Sequence, residues 1–301
     1  MNRLIKHATI CLVLGLSPVS VRGQTDEPTN ALRAASRRVA DNEFNLVYKM
    51  QAGDSLTYEV EHLVKVATTI QGNTQRTQSR SKSAMVWKIV SVDAKTGHMT
   101  LTNAIEYVDM WNEAQNREAT RYDSRTGDPP PAEFAQVAST VGKPLAEITV
   151  DRHGRVIKRD DGKQHDLGTG GLLVPLPEQP VTIDAEWSVP GAISVRLGDG
   201  TYKTVKTRQL YKLEKVQAGV ATITTKTQLL TPNIDSRMRS QLMQKMTEGR
   251  IRFDLDAGRI LSRQLDWDED VVGFNGPQSN MEYLARHTEE LTDEPKVAQR
   301  P

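Results

Sequence analysis

The stretch AEITVDRHGRVIK, residues 146–158, predicts two β-strands joined by a tight turn. Apolar Ala146, Ile148 and Val150 alternate with polar residues, which is the period of a strand with one buried face. Gly154 lies in the turn, where glycine accepts a positive φ without a Cβ clash. The stretch is therefore interpreted as a β-hairpin.

A second stretch with the same pattern, IRFDLDAGRIL, lies at residues 251–261. Ile251 and Phe253 alternate with charged residues, and Gly258 lies in the turn that follows. The two stretches are in different halves of the chain. The pattern therefore predicts two hairpins of similar construction.

The rest of the chain is dominated by long segments with strand alternation, and helical spacing at residues 134–141 and 234–247 predicts a short helix before each hairpin. This repetition predicts an internal duplication; the alternative is the self-similarity that any long antiparallel protein shows. We expect a mainly β fold with a large curved antiparallel sheet or half-barrel, made of two similar halves that each contain a short helix.

Three local predictions follow from the pattern of the first half. Residues 45–50 are expected to form a short strand, and residues 72–83 a polar loop or a frayed hairpin end. A further strand is expected to place five apolar residues on a common face: Met99, Leu101, Ile105, Tyr107 and Trp111.

The start of the chain has the pattern of a secretory signal peptide, predicted over residues 1–23. Arg3 and Lys6 precede the apolar residues 8–16, which are too few to span a bilayer comfortably. An ordinary buried helix is the alternative. The remaining predicted segments are a polar tether at 24–42, a first β-rich half at 43–165, a second β-rich half at 166–292 and a charged tail at 293–301. We expect an exported protein, periplasmic or extracellular.

The charge balance and the cysteine content exclude several classes of function. Without residues 1–23, which hold three basic residues and no acidic one, 36 basic residues face 38 acidic ones. This balance gives no electrostatic reason to expect nucleic acid or an anionic membrane as a partner. Cys11 lies in the predicted signal peptide, so a processed chain would have no disulfide, thiol nucleophile or cysteine-ligated metal. No other stretch resembles a transmembrane helix.

Sequence motifs for catalysis, cofactors or metals are not found. The chain has no Gly-x-Ser-x-Gly elbow, no phosphate-binding glycine loop and no His-Glu-x-x-His. The histidines after residue 23 are not spaced as metal pairs; they are His62, His98, His153, His165 and His287. Asp254, Asp256 and Gly258 resemble part of a calcium loop, but a plain hairpin turn is favoured. We expect no enzyme, no cofactor and no metal.

Two groups of residues are candidates for a site. Carboxylates around Trp267 could perform acid–base chemistry on carbohydrate, or form a solvated strand end; they are Asp266, Asp268, Glu269 and Asp270. Aromatic residues on predicted strands could line a ligand cavity, or simply pack in the core; they are Tyr58, Trp87, Trp111, Trp187 and Trp267.

Several segments resemble an uncharacterised family of exported bacterial envelope proteins. They are the opening at residues 48–54, the element Tyr122-Asp123-Ser124, and Pro175-Leu176-Pro177 followed by Pro180-Val181 and Trp187. Members commonly carry Gly-Asp before the Trp position, where this chain has Ile183-Asp184-Ala185-Glu186. The family implies no activity. The long curved sheet with small helices is similar, at fold level, to the lipoprotein carriers, whose half-open barrels hold acyl chains.

These observations lead to a functional hypothesis: an exported, non-catalytic protein of the cell envelope. In its sharper form, the protein binds an apolar or acyl ligand, such as a lipid, on the concave face of the sheet. One alternative is a carbohydrate-active hydrolase that uses the carboxylates near Trp267. Another is a scaffold that binds envelope proteins through a free sheet edge.

Overall fold

The structure is a computed structural model that describes residues 43–160 and 173–292. The predicted signal peptide, polar tether and charged tail, with His165 and part of the connector between the halves, lie outside the described residues. The strands are β1 (Ser55–Ile70), β2 (Asn73–Val92), β3 (Met99–Ala114), β4 (Thr120–Asp123), β5 (Pro144–Val150), β6 (Val156–Asp160), β7 (Glu186–Arg196), β8 (Tyr202–Gln217), β9 (Val220–Leu229), β10 (Glu248–Asp254), β11 (Arg259–Val272) and β12 (Ser279–Thr292). The helices are α1 (Ala135–Ala138), α2 (Ser236–Leu242) and a 3-10 helix, Met243–Lys245.

The twelve strands of the described residues form one antiparallel sheet, which confirms the predicted mainly β fold. The strand order is β6-β5-β3-β2-β1-β12-β11-β10-β9-β8-β7, and β4 pairs with β3. The first and last strands, β1 and β12, pair in the middle of the sheet. The sheet is not closed, and β6 and β7 are its two edges.

The two halves of the sheet have the same strand order. The first half runs β6-β5-β3-β2-β1 and the second runs β11-β10-β9-β8-β7, with β12 between β11 and β1. In both halves a short helix precedes the last hairpin. Internal duplication as the origin of this order stays a prediction.

Both predicted hairpins are present, as β5–β6 and β10–β11. The Asp151 side chain accepts two backbone N–H groups of its turn at 2.8 and 2.9 Å, and Asp254 accepts two at 2.9 and 2.8 Å. Gly154 and Gly258 have φ values of 78° and 62°. Aspartate capping and the left-handed glycine therefore fix both turns locally.

The predicted helices are present, but each is shorter than the segment over which the sequence shows helical spacing. Helix α1 lies within residues 134–141, and α2 with the 3-10 helix lies within residues 234–247. Asp235 caps α2 by accepting the N–H of Met238 at 2.8 Å. Met238 and Leu242 are buried, so α2 packs through one apolar face.

Residues 44–50, called the strap here, do not form the predicted strand. The Tyr48 amide donates to the Arg152 carbonyl at 2.9 Å, and the Lys49 amide donates to the Gly258 carbonyl at 3.1 Å. Two consecutive residues of the strap thus bind the turns of the two hairpins. This bridging role replaces a regular strand ladder.

The polar stretch predicted as a loop at 72–83 belongs to strand β2 from Asn73 onward, and only Gly72 lies in the turn before it. Pairing with β1 begins at Asn73, and pairing with β3 begins at Thr77. The Thr69 and Thr74 hydroxyls hydrogen-bond across the hairpin at 2.8 Å. Two neighbouring strands satisfy the backbone here, so the strand forms without an apolar face.

The apolar residues of β3 do not share a single face. Ile105 pairs with Met85, but Tyr107 pairs with the preceding residue, Ala84, so Glu106 is an extra residue in β3. A bulge of this kind shifts the alternation of the following side chains. Met99, Leu101 and Ile105 lie on one face of the sheet, while Tyr107 and Trp111 lie on the other.

The main core contains buried residues from both halves. Its most buried members include Leu46, Ile89, Met99, Leu101, Ile148, Val150, Leu213, Ile223, Ile251 and Phe253. Two smaller clusters surround Trp267 and helix α2. Because strands from the two ends of the order share one core, the sheet curves until its halves face each other.

Candidate ligand-binding cavity

A cavity of about 640 Å³ lies between the two edges of the sheet. It is lined by the first hairpin, by residues 173–175, and by parts of β7 to β11. The volume is within the range of about 300–1,000 Å³ that small-molecule sites have. Because β6 and β7 do not pair with each other, the gap between them opens on the interior of the curved sheet.

One wall of this cavity is aliphatic. It contains Ile148, Val150, Val156, Leu173, Val174 and Pro175. Ile148 and Val150 are fully buried, while Val156 is 55% exposed at the rim. Tyr48 fixes the position of Val174, because its hydroxyl donates to the Val174 carbonyl at 3.1 Å and accepts the Val174 amide at 2.9 Å. The strap therefore holds this wall in place.

The opposite wall is polar and internally hydrogen-bonded. The Gln209 side-chain amide donates to the Thr225 hydroxyl at 2.6 Å, and the Thr225 hydroxyl donates to the Leu210 carbonyl at 3.1 Å. The Thr227 hydroxyl donates to Gln209 Oε1 at 2.7 Å. These bonds orient the side chains before any ligand binds, so the wall is preformed.

One lining residue of the cavity, Arg263, belongs to a buried ion pair. Arg263 Nη2 is 2.6 Å from Glu289 Oε1, and the side chains are 7% and 15% exposed. Burial by itself would raise the pKa of the Glu289 carboxyl, but Arg263 and His287 outweigh it and lower the pKa to about 2. The Glu289 carboxylate raises the pKa of Arg263 against the effect of burial. Both groups are therefore ionised at neutral pH.

Two histidines lie beside this ion pair. His287 Nε2 is 3.1 Å from Glu289 Oε1, and the ring centres of His287 and His62 are 5.8 Å apart. Burial, followed by the nearby His287, lowers the pKa of His62. Over residues 43–160 and 173–292, no group of three or more His, Asp or Glu is placed to hold a metal ion.

Three buried tyrosines surround the same region. Burial raises the pKa of Tyr211 to about 12 and raises the pKa values of Tyr48 and Tyr58 well above the ordinary value. Tyr211 lines the cavity. The three phenols are therefore neutral hydrogen-bonding groups over the physiological range.

The five aromatic residues that the sequence singled out all lie on strands, but not around one cavity. Tyr58 is in the main core, where its hydroxyl donates to the Ile260 carbonyl at 2.9 Å. Trp87 packs against that core, and Trp267, 2% exposed, belongs to the second cluster. Trp111 lies on the other face of β3, with the Arg121 guanidinium 6.0 Å from its ring centre.

Trp187 contacts two residues of the cavity lining, Tyr211 and Pro175. It stacks on Tyr211 with ring centres 5.7 Å apart and donates its indole N–H to the Pro175 carbonyl at 2.7 Å. None of the five predicted aromatic residues is in the cavity lining. Ligand binding by these residues stays a prediction, and the lining residues Gln209, Thr225 and Arg263 were missed because their alternation is that of any strand.

The acidic residues around Trp267 are divided between the two faces of β11. Asp266, Asp268 and Asp270 alternate with Trp267 and Glu269. Asp266 Oδ1 accepts from Arg286 Nε at 2.6 Å. Burial raises the pKa of Glu269. The strand alternation thus separates Glu269 from the aspartates beside it in the sequence.

A second hollow, of about 670 Å³, lies where charged side chains of β8 to β12 meet. Its lining includes the ion pair between Lys226 and Glu248, and Arg250, which is 3.3 Å from Glu214. These side chains are mostly exposed, and exposed pairs of this kind contribute little. Apart from the buried pair of Arg263 and Glu289, which also line this hollow, these ion pairs are solvated.

Within the described parts of the chain, no helix combines the length and the apolar character needed to cross a membrane.

No protein-family model and no curated protein sequence matches this chain. A solved structure titled "Lipid-protein interactions in lipovitellin" is similar to 84% of the chain, with 11% sequence identity and a TM-score of 0.43. The chain spans 27% of the length of that lipovitellin chain. At this TM-score the likeness assigns neither a family nor a function.

Proposed function

We propose that this protein is an exported, non-catalytic component of the cell envelope that binds an apolar or acyl ligand in the cavity between β6 and β7. The observation that carries the proposal is the cavity of about 640 Å³ with an aliphatic wall. The predicted signal peptide supports export.

The chemistry of the two walls supports a ligand with a hydrocarbon chain. The aliphatic wall favours a hydrocarbon chain, because burial contributes roughly 0.8 kcal/mol for each CH₂ group. The polar wall, with Gln209 and Thr225, is already hydrogen-bonded and needs no partner from the ligand. An apolar or acyl ligand therefore fits the cavity without disturbing the hydrogen bonds of the polar wall.

Binding of the uncharged apolar dye N-phenyl-1-naphthylamine tests the proposal. We expect the dye to fluoresce with the full chain, and dodecanoate to displace it. In parallel, native mass spectrometry of protein expressed in a bacterial host should show an added mass that disappears on denaturation. Absence of both dye binding and added mass would overturn the proposal.

A cavity-filling variant locates the site. Val189 lines the cavity on β7, so Val189→Trp should lower dye binding by roughly tenfold or more. Val272, 64% exposed on β11 and outside the lining, is the matched position, so Val272→Trp should leave dye binding unchanged. Equal binding by both variants would place the dye elsewhere, and thermal unfolding of each variant checks that it folds.

A further inference from the structure

The pairing of β1 with β12 joins the two halves of the sheet. In the sheet that the described residues form, every strand of the first half lies on the β1 side of this pairing and every strand of the second half lies on the β12 side. The two strands pair without a register shift, from Thr57 opposite Thr292 to Ile70 opposite Ser279. This pairing is called the seam here, because it connects the halves through backbone hydrogen bonds.

Two histidines lie directly opposite each other near the middle of the seam. His62 on β1 pairs with His287 on β12, and their ring centres are 5.8 Å apart. Alternate residues of a strand share a face, so Val60 and Val64 lie on the same face of β1 as His62. Glu289 lies on the same face of β12 as His287 and contacts it.

This polar group separates two apolar clusters along the seam. On one side are residues of the main core: Tyr58, Val60 and Leu291. On the other side are residues of the cluster around Trp267: Val64, Val66, Tyr283 and Ala285. The middle of the seam therefore depends on polar groups, and their charge affects how well it stays closed.

The neighbouring strands bring mostly uncharged side chains to the histidines. Ser81 on β2 pairs with His62, and Leu265 on β11 pairs with His287. The Trp267 ring centre is 5.8 Å from that of His62. A second positive charge at this place therefore receives little compensation from β2 or from this part of β11.

One carboxylate contacts the pair, and it is shared. Glu289 Oε1 is 3.1 Å from His287 Nε2 and 2.6 Å from Arg263 Nη2. Glu269 is on the same face of β11 but lies beyond Trp267, away from Arg263. The charged or titratable groups of this region in the described chain are Glu289, Arg263, Arg259, Glu269 and Tyr58.

The two histidines differ in what can balance a proton. A proton on His287 meets the negative charge of Glu289. The Nε2 atom of His62, in contrast, is buried and has no hydrogen-bond partner in the described chain. A proton on His62 would thus lie beside His287 without a counter-charge of its own while the seam is closed.

We propose that the His62–His287 pair is an acid-sensitive switch in the seam: when both rings are protonated, β1 and β12 separate around the pair and the connection between the two halves loosens. Water that enters the opened seam solvates both imidazolium groups. At neutral pH the uncharged pair leaves the seam closed. The switch acts on the fold itself, so it requires no ligand.

The direction of the pH dependence follows from His62. Burial, followed by the nearby His287, lowers the pKa of His62 below its ordinary value of 6.5. An opened or unfolded state therefore binds the proton more readily than the closed state does. The stabilisation is complete above about pH 6.5 and is lost as the pH falls through the lowered pKa of His62.

Hydrogen exchange of the full chain at pH 7.5 and pH 5.5, corrected for intrinsic exchange rates, tests the switch. We expect protection of the amides around His62 and His287 to fall roughly threefold or more at the lower pH, while amides of β8 and β9 change less. NMR of histidines labelled with ¹³C should show His62 titrating over the interval in which this protection is lost.

His62→Gln removes the titrating group and keeps a polar side chain, so most of the acid-dependent loss should disappear. His98→Gln is the control, because His98 lies directly before β3, away from the seam, and this variant should behave as wild type. Equal protection of the seam at both pH values, or an equal loss in β8 and β9, would overturn the switch. A full loss that persists in folded His62→Gln would do the same. If circular dichroism shows that His62→Gln does not fold, the wild-type comparison decides, because a seam that loses protection outside the His62 titration contradicts the proposal.

Discussion

The two hairpins of this protein share their local sequence pattern and differ in their neighbours. Each has a capping aspartate, a left-handed glycine in the turn and an arginine at the same register position, Arg159 or Arg263. Strand β11 is covered by β12, whereas β6 is an edge of the sheet that the described residues form. At equivalent positions after the turn, Ile260 is 4% exposed and Val156 is 55% exposed.

This difference shows what the added strand β12 does to the second half. It converts an edge hairpin into an interior one and brings a carboxylate to the arginine. In the first half, the same construction instead forms the rim of a cavity. We therefore expect equivalent substitutions in the two hairpins to have unequal effects on stability.

The largest effect is expected at the carboxylate that β12 contributes. Glu289→Gln leaves the Arg263 charge buried without its counter-charge, which costs about 3–5 kcal/mol of unfolding free energy. Urea unfolding at pH 7 measures this cost. Glu290→Gln, at the exposed neighbouring position, should change stability by no more than about 0.5 kcal/mol. A Glu289→Gln cost below about 1 kcal/mol would contradict the buried-pair assignment.

The same residue gives a pH dependence with a defined sign. The pKa of Glu289 in the folded protein is lowered to about 2, below its unfolded value near 4.5. The unfolded state therefore binds the proton first, so this stabilisation is present above about pH 5 and is lost as the pH falls toward 2. The stability difference between wild type and Glu289→Gln should narrow over that interval, as followed by urea unfolding. If the difference in unfolding free energy between wild type and Glu289→Gln stayed constant from pH 6 to pH 3, it would contradict this prediction.

The next effect compares equivalent strand positions. Ile260→Ala should cost about 2–5 kcal/mol, because Ile260 is buried in the main core and its truncation leaves a cavity. Val156→Ala should cost no more than about 0.5 kcal/mol, because this side chain is largely exposed on the edge strand. Chemical denaturation measures the loss of unfolding free energy in both variants. Equal losses would contradict the proposed difference between the interior hairpin and the edge hairpin.

The turns, in contrast, should respond alike. A Cβ at Gly258 would lie 2.5 Å from the Lys49 amide nitrogen, and one at Gly154 would lie 2.8 Å from the Tyr48 ring. Each Gly→Ala change should cost about 2–3 kcal/mol through the positive φ and the clash with the strap. Gly97→Ala is the control, because Gly97 also has a positive φ but has open space around it, and about 1 kcal/mol is expected. Thermal unfolding measures the stability of the three Gly→Ala variants. Equal losses of stability in all three would show that the contacts between the strap and the turns do not contribute to the cost.

The smallest effect is expected at the exposed rim pair. A double-mutant cycle with Arg155→Gln and Glu178→Gln should give a coupling below about 1 kcal/mol that vanishes in 1 M salt. The two ion pairs would then differ in strength because the Arg263–Glu289 pair is buried and the Arg155–Glu178 pair is exposed. A salt-independent coupling above about 2 kcal/mol would mean that the rim pair is structural.

The sequence predicted the strand content, both hairpins and the short helices, because these depend on local alternation, turn residues and capping. It was wrong about residues 72–83 and 45–50. The polar strand β2 forms through its two neighbours, and the strap is irregular because it binds two turns at once. The bulge at Glu106 moves Tyr107 and Trp111 to the other face. The spacing of the apolar residues in the sequence did not indicate this bulge.

The sequence by itself determined the local geometry of this protein, since an aspartate cap, a turn glycine and period-two alternation act within a few residues. The tertiary structure alone decided which hairpin became the edge of the described sheet, where the gap between β6 and β7 lies, and that Arg263 pairs with Glu289. Those outcomes depend on pairing between strands far apart in the chain, above all β1 with β12. Local patterns carry no information about such partners, so the cavity could not be located from the sequence.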